Sequence, residues 1–318
     1  MDEIHKKILR SNRTNLVRDL DPICLYDLLL EKGVFTSDMI DEIKSYKMDA
    51  SPSGHCLIIN NVEFEPRSEL NDRIGSNVDR DKLERRFKEL NFAVEVKTNL
   101  TQRQIKRELS GLSKKDHSEF DCCVVIILSH GTEVSHNRFP GAVYGVDGLS
   151  VPVQLITNYL NGQHCPSLQG KPKLFFIQAC GGGEKDTGFE VFEDDGPELC
   201  EEEGEDDETD AIPTSSSSDS LSISDELDAR ATLPTPSDIL VSYSTFPGYV
   251  SWRDTQAGSW YVETLDRIFA ENAATDDLVT MLMMVNNEVS QNSAKGLYKQ
   301  MPGSFNFLRK LLYFQPQN

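Results

Sequence analysis

Long hydrophobic runs are missing from this 318-residue chain. The longest, CCVVIIL at 122–128, has seven residues, against about 20 for a membrane-spanning helix. The N-terminal stretch MDEIHKKILR mixes charges where a secretory signal needs an unbroken apolar segment. The seven cysteines follow no disulfide-framework spacing, and an odd number leaves one over. The expectation is a chain with reduced thiols, in the cytoplasm and with no membrane partner. No basic block stands clear of acidic neighbours, which argues against nucleic acid. Apolar residues make up only 38%, but the shortfall is local. Residues 190–228 hold 17 Asp and Glu and no Lys or Arg, and so carry most of the net charge of −20. The remainder is close to neutral, so net charge says little about partners.

What is present divides the chain. Residues 1–48 read as short amphipathic helices. Asp21 can cap one, with Pro22 at its first position, Leu25, Leu28 and Leu29 on its face and Gly33 as its stop; Met39, Ile40 and Ile43 form a second stripe. The linker MDASPSG follows. From His55 the pattern changes to short apolar runs (HCLIINN, FAVEV, CCVVIILS, KLFFIQA) suited to strands covered on both faces. Between them, DKLERRFKEL places Leu83, Phe87 and Leu90 on one helical face, and TQRQIKRELSGL does so with Ile105, Leu109 and Leu112 behind the cap Thr101. Strand and helix in alternation predict an α/β fold with a mainly parallel central sheet flanked by helices. Residues 190–232, acidic and then Ser-rich, offer almost nothing to bury and read as a disordered linker. Beyond it come a strand in DILVSYSTF, helices in GSWYVETLDRIFAENA and DDLVTMLMMVNNEV, and a late edge strand in SFNFLRKLLYF.

Two apolar runs end alike. VVIILSHG leads into His130–Gly131, and LFFIQACGGG into Cys180 and a row of glycines. In a parallel sheet, functional groups gather at the carboxyl ends of strands, and glycine there lets the backbone turn closely. A thiol beside an imidazole suits nucleophilic acyl transfer. The plainer reading keeps Cys180 as a buried apolar residue and His130 as a hydrogen-bonded structural one. Rivals fail on spacing: no C-x-x-C zinc pair exists, Asp186 stands where a thiol phosphatase loop needs arginine, and no G-x-S-x-G elbow is present.

QACGG at 178–182 matches the known signature of caspases, with His130 lying 50 positions upstream. SHG at 129–131, YSTFPGYVSWRD at 243–254 and GSWYVETL at 258–265 extend the resemblance from Gly54 to the C-terminus. IINNVEF, GSNVDRDKLERRF, CCVV and PGSFNFLRK resemble the initiator members of that family in particular.

The resemblance implies Cys180 as nucleophile, His130 as general acid/base, and the N–H groups of Gly131 and Cys180 as an oxyanion site. It implies cleavage after Asp, with Arg73, Gln178 and Arg253 at the positions of the Asp pocket, and no cofactor or metal. A buried carboxylate calls for charge-assisted, bidentate partners, which Arg supplies. Val250, Ser251 and Trp252 fall near the neighbouring subsites, with a core or surface role as the alternative.

The family resemblance also implies a zymogen activated by dimerisation, FNFLRKLLYF being the strand for a homodimer, with protein substrates that include downstream caspases. Asp210 and Asp228, each before an alanine in the linker, are the expected cleavage sites. A cut after Asp210 exposes Ala211, Ile212, Pro213 and Thr214, whose start resembles the tetrapeptide captured by inhibitor-of-apoptosis proteins; Thr214 departs from it. The expected division is a partial caspase-recruitment (CARD-like) death-fold segment at 1–48, through which the apoptosome adaptor would bind, a large-subunit part at 49–189, the linker at 190–232 and a small-subunit part at 233–318. A shortened, unrecruited chain acting as a decoy for full-length partners is the alternative; intact Cys180, His130 and Asp-pocket positions weigh against it. A thiol hydrolase outside the family would tolerate substrates lacking Asp.

Overall fold

Strands that are apolar on both faces must be covered on both, and the parity of burial shows how. In the run 122–128, Cys122, Val124, Ile126 and Leu128 enter one hydrophobic core, while Cys123, Val125 and Ile127 enter a second. The computed structural model describes residues 30, 31, 36, 40, 43–136, 138–180, 182–189, 233–246, 248–294 and 297–316. The Asp21 cap, the Leu25–Leu28–Leu29 face, Gly33 and Met39 lie outside the described residues, as do the linker 190–232, its Asp210 and Asp228, and Ala211–Thr214.

The sheet contains β1 (Gly54–Asn60), β2 (Phe92–Thr98), β3 (Cys122–Leu128), β7 (Lys173–Gln178), β8 (Ile239–Tyr243) and β11 (Gly303–Asn306). Their order is β11-β8-β7-β3-β1-β2. All neighbouring pairs are parallel except β11 with β8, which is antiparallel. The predicted α/β class and parallel sheet are therefore observed.

On one face lie α1 (Ser76–Glu89), α4 (Trp260–Asn272) and α5 (Leu278–Gln291); on the other lie α2 (Gln102–Ser113) and α3 (Val153–Leu160). Leu83 and Phe87 of α1 are buried as the spacing predicts, with Leu90 at its C-cap. Phe87 meets the rings of Phe92, Phe176, Phe269 and Phe314 at centroid distances of 5.6 to 6.4 Å, so one side chain joins α1, β2, β7, α4 and the C-terminal segment. Thr101 caps α2 as expected: its hydroxyl accepts the Gln104 N–H while the Gln104 side chain accepts the Thr101 N–H. The sequence did not announce α3, nor the small antiparallel sheet of β4 (Gly131–Thr132), β5 (Ala142–Tyr144) and β6 (Ser150–Pro152), nor the antiparallel pair β9 (Arg253–Asp254) and β10 (Gly258–Ser259).

One expectation is corrected. FNFLRKLLYF is not a single edge strand: β11 holds only its first two residues, although β11 does form the sheet edge. The chain then leaves the ladder, because Leu312 and Phe314 are drawn into the core below α1, α4 and α5. That departure is pinned by charge. Buried Asp238 accepts from Arg309 Nε at 2.9 Å, from Arg309 Nη2 at 3.1 Å and from the Tyr46 hydroxyl at 2.6 Å. The Tyr46 N–H donates to Leu311 O at 2.8 Å, and Tyr46 and Met48 enter the core. Residues 45–48 thus pack on the α/β body that follows them. Burial raises the Tyr46 phenol pKa, and the hydrogen bond to Asp238 raises it further.

Tyr46→Phe should lower unfolding stability by about 1.5 to 3 kcal/mol, the worth of a hydrogen bond to a charged group. Urea titration of both chains measures it. An unchanged midpoint would mean that residues 45–48 do not hold the body together.

Candidate active site

The carboxyl ends of β3 and β7 are hydrogen-bonded neighbours, Leu128 opposite Gln178, so residues 129–131 and 179–180 leave the sheet side by side. The Ser129 N–H still donates to Gln178 O at 3.1 Å. Gly131 then passes so close that a Cβ there would overlap the Cys180 carbonyl oxygen and press on Ala179 Cβ. Only a residue without a side chain lets the His130 and Cys180 turns approach. Gly182 does the same against the backbone of Gly248; Gly181 lies outside the described residues.

His130 Nε2 lies 2.7 Å from Asn71 O, so this nitrogen carries the proton and donates, which leaves Nδ1 for chemistry. Its ring also rests on Phe64, with centroids 4.8 Å apart. Burial lowers the His130 pKa, and the charges of Arg73 and Arg253 lower it further, against the raising effect of the Asn71 bond. Cys180 Sγ accepts the Ser251 N–H at 3.4 Å. Asn71 was not visible as a functional position in the sequence, because it acts through its backbone carbonyl.

Arg73, Ser129, His130, Gln178, Cys180 and Arg253 line one cavity of about 210 Å³, walled also by Ala179, Ser251 and Trp252. Arg73 is 1% exposed. Its Nη1 donates to Asn61 O at 3.1 Å and to Ser76 Oγ at 2.6 Å, and the Ser76 hydroxyl donates to Asn60 Oδ1. Arg253 Nε donates to Ile74 O at 3.1 Å. These partners are neutral oxygens. Asp254, the residue next to Arg253, accepts the N–H groups of Gln256 and Ala257.

The electrostatics follow from that arrangement. Burial and then the Arg253 charge pull the Arg73 pKa down to about 9. The carboxylate that couples to both guanidiniums is Asp79, whose own pKa burial raises. One Asp79 oxygen accepts the Ser259 N–H at 2.8 Å, and the other has no hydrogen-bond partner. Two guanidiniums against one carboxylate leave positive charge at the cavity. A small anion with planar, bidentate oxygens is its complement. Gln178, 2% exposed, donates from Nε2 to Ser251 Oγ at 2.9 Å, while its Oε1 is buried without a partner.

The structure therefore brings Cys180, His130, Gly131, Arg73, Gln178, Arg253, Ser251 and Trp252 to one place. Val250 does not line this cavity; its N–H donates to Glu184 O at 2.9 Å. Three supports were missed in the sequence: Asn71, the Asn60–Asn61 pair that holds Arg73, and Gln300, discussed below. The Asn pair left a faint signal, as two amides directly after an apolar strand. Among the described residues the five cysteines, Cys56, Cys122, Cys123, Cys165 and Cys180, are free, and no helix is long and apolar enough to cross a membrane.

A family model for the caspase domain matches residues 53–313. The chain is 56% identical over 275 residues to caspase-9 of Homo sapiens, covering 85% of this chain and 63% of that protein. It is 36% identical over 277 residues to caspase-3 of Mesocricetus auratus, covering 85% and 87%. To caspase-8 of Rattus norvegicus it is 33% identical over 312 residues, covering 94% and 59%. The chain thus spans about three fifths of the caspase-9 and caspase-8 sequences it matches.

Two outcomes follow from the geometry. Gly131→Ala should leave a folded chain but separate the two turns, and a displacement near 1 Å costs roughly 100-fold in turnover; peptide cleavage set beside the thermal midpoint checks this, and full activity would refute the close-approach argument. Arg253→Leu removes a cation near His130. The His130 ring should then titrate at higher pH, read by NMR of the imidazole protons with His130→Gln for assignment. An unmoved midpoint would leave burial and Arg73 as the causes of the depression.

Proposed function

The chain belongs to the caspase family of Asp-specific cysteine peptidases, and on that premise we propose that it is an initiator-type endopeptidase cleaving protein substrates after Asp. The observation that carries this reading is the pairing of a thiol turn and an imidazole turn with a cavity whose two guanidiniums face one internal carboxylate.

In this reading the Asp side chain of the substrate enters beside Arg73 and Arg253. Gln178 contributes its amide: turned about its last bond, the buried Oε1 takes the Ser251 hydroxyl and the N–H₂ faces the carboxylate. The Cys180 thiol passes its proton to His130 Nδ1 as the sulfur attacks the carbonyl carbon, and the N–H groups of Gly131 and Cys180 receive the oxyanion. The C–N bond breaks as His130 gives its proton to the leaving amine; water, deprotonated by His130, then splits the thioester and restores Cys180. His130 has a reason to change during the cycle. The same arginine charges that depress it are offset when a substrate carboxylate arrives, so binding raises its pKa when a proton must be held for the amine. Val250, Ser251 and Trp252 take the residues preceding Asp.

The proposed division is a recruitment-like part to residue 48, a large-subunit part at 49–189, a linker at 190–232 and a small-subunit part at 233–318, with cleavage after Asp210 and Asp228. β11, at the sheet edge, is the surface proposed to pair with a second copy. Downstream caspases as substrates, the apoptosome adaptor and inhibitor-of-apoptosis proteins (through Ala211–Thr214) as partners, and a cytoplasmic location belong to the same proposal, supported by the likeness to caspase-9.

The test is turnover of fluorogenic peptides ending in Asp or Asn by the purified chain and by Cys180→Ala, with and without a kosmotropic salt that favours association. Asn in the cavity leaves guanidinium charge underpaired, costing about 3 to 5 kcal/mol, or more than about 100-fold. Cleavage after Asp, lost in Cys180→Ala and increased by salt, is expected. Silence in both salts would favour an interfering, non-catalytic chain, and cleavage without Asp a different thiol hydrolase.

A further inference from the structure

Gln300 is a buried amide that no part of the proposed chemistry uses. It is 2% exposed, and each end of its side chain holds a backbone group of a different segment. Oε1 accepts the Trp252 N–H at 2.7 Å, and Nε2 donates to Ser244 O at 2.7 Å. Ser244 follows β8 directly, and its hydroxyl donates to Ala179 O at 3.0 Å, next to the candidate nucleophile. The same short stretch grips its neighbours twice more. The Tyr298 ring stacks on Trp252, centroids 5.7 Å apart and planes 18° apart, and the Lys299 N–H donates to Asp186 O at 2.9 Å. Three residues after Gln300, at Gly303, β11 begins.

We propose that Gln300 is a positioning residue: it sets the loop 250–253 against the Cys180 turn, and through that loop governs the subsites for the residues preceding Asp. The inference rests on the peptidase reading above. Its physical basis is the cost of leaving two buried backbone groups without partners. If the amide is removed, the Trp252 N–H and Ser244 O must find other partners, and the flexible member of the pair, the loop, is the one that moves. The pull falls on Trp252 and its neighbour Ser251, while Arg253 keeps its own bond to Ile74 O. Because the amide sits between the sheet edge and the loop, whatever fixes β11 also fixes its anchor point.

Gln300→Met keeps the size and deletes both bonds. For that variant, kcat/KM on a tetrapeptide ending in Asp should fall by at least about ten-fold, and on acetyl-Asp amide by less than about three-fold, because the short substrate does not use the subsites at issue. Equal loss on both substrates would reduce Gln300 to general support of the fold. Gln300→Glu adds a readout that packing alone would not move. A protonated carboxyl reproduces the donor and the acceptor, whereas the carboxylate turns a negative oxygen on Ser244 O. The activity of this variant relative to the parent should therefore rise from about pH 8 to about pH 6; a flat ratio would overturn the assignment. A third measurement needs no catalysis. The chain has two tryptophans, so in a Trp260→Phe background acrylamide quenching reports on Trp252. Gln300→Met should raise that quenching about two-fold as the loop loosens, and unchanged quenching would sink the proposal. A parent chain silent on all peptides would remove the peptidase reading while leaving this last test intact.

Discussion

The candidate site depends on one close passage: the backbone of Gly131 running against the carbonyl of Cys180. β3 and β7 are neighbours in register, and such strand ends ordinarily diverge as soon as side chains intervene. Here the absence of a side chain lets two turns share the space of one. His130 and Cys180 then arrive from different strands into a single cavity without a loop built for the purpose. The imidazole is oriented from behind by the Asn71 carbonyl, and the thiol is held from the side by the Ser251 N–H.

The cavity works against stability. Arg73 is buried with its charge offset only by neutral oxygens and by Asp79, which also keeps one oxygen unbonded. Burying cations in that way is unfavourable unless a counter-ion comes. The two hydrophobic layers carry the cost, with Phe87 at the centre of one of them. A strained electrostatic site set at the carboxyl ends of central strands in a firmly packed sheet suits a ligand that brings its own negative charge, and it makes that ligand a stabiliser of the fold.

Much of this was legible because burial writes itself into period and composition. β1, β2, β3, β7 and β8, the Leu83–Phe87 face and the Thr101 capping box follow from side-chain pattern alone, and Cys180 and His130 from their place at strand ends. The Asp-pocket positions came through resemblance; nothing in the spacing of Arg73, Gln178 and Arg253 announces that they meet. What stayed hidden was of three kinds. β4, β5 and β6 are too short to show a period. Asn71 acts by a carbonyl that every residue possesses. Gln300 and the Asp238–Arg309–Tyr46 cluster join positions far apart in sequence, so only the fold reveals them. The same cluster explains why the C-terminal segment, apolar enough to read as one strand, abandons the edge after Asn306.

The position of β8 has a wider consequence. It lies between β7 and β11, with its first residue tied across the sheet to Lys173 and the residue before it, Asp238, clasped by Tyr46 and Arg309. Among the described residues, the contacts that locate β8 are lateral: to β7 and β11 beside it, and to Tyr46 and Arg309 through Asp238. The address of this strand in the fold is therefore written in the register of its neighbours.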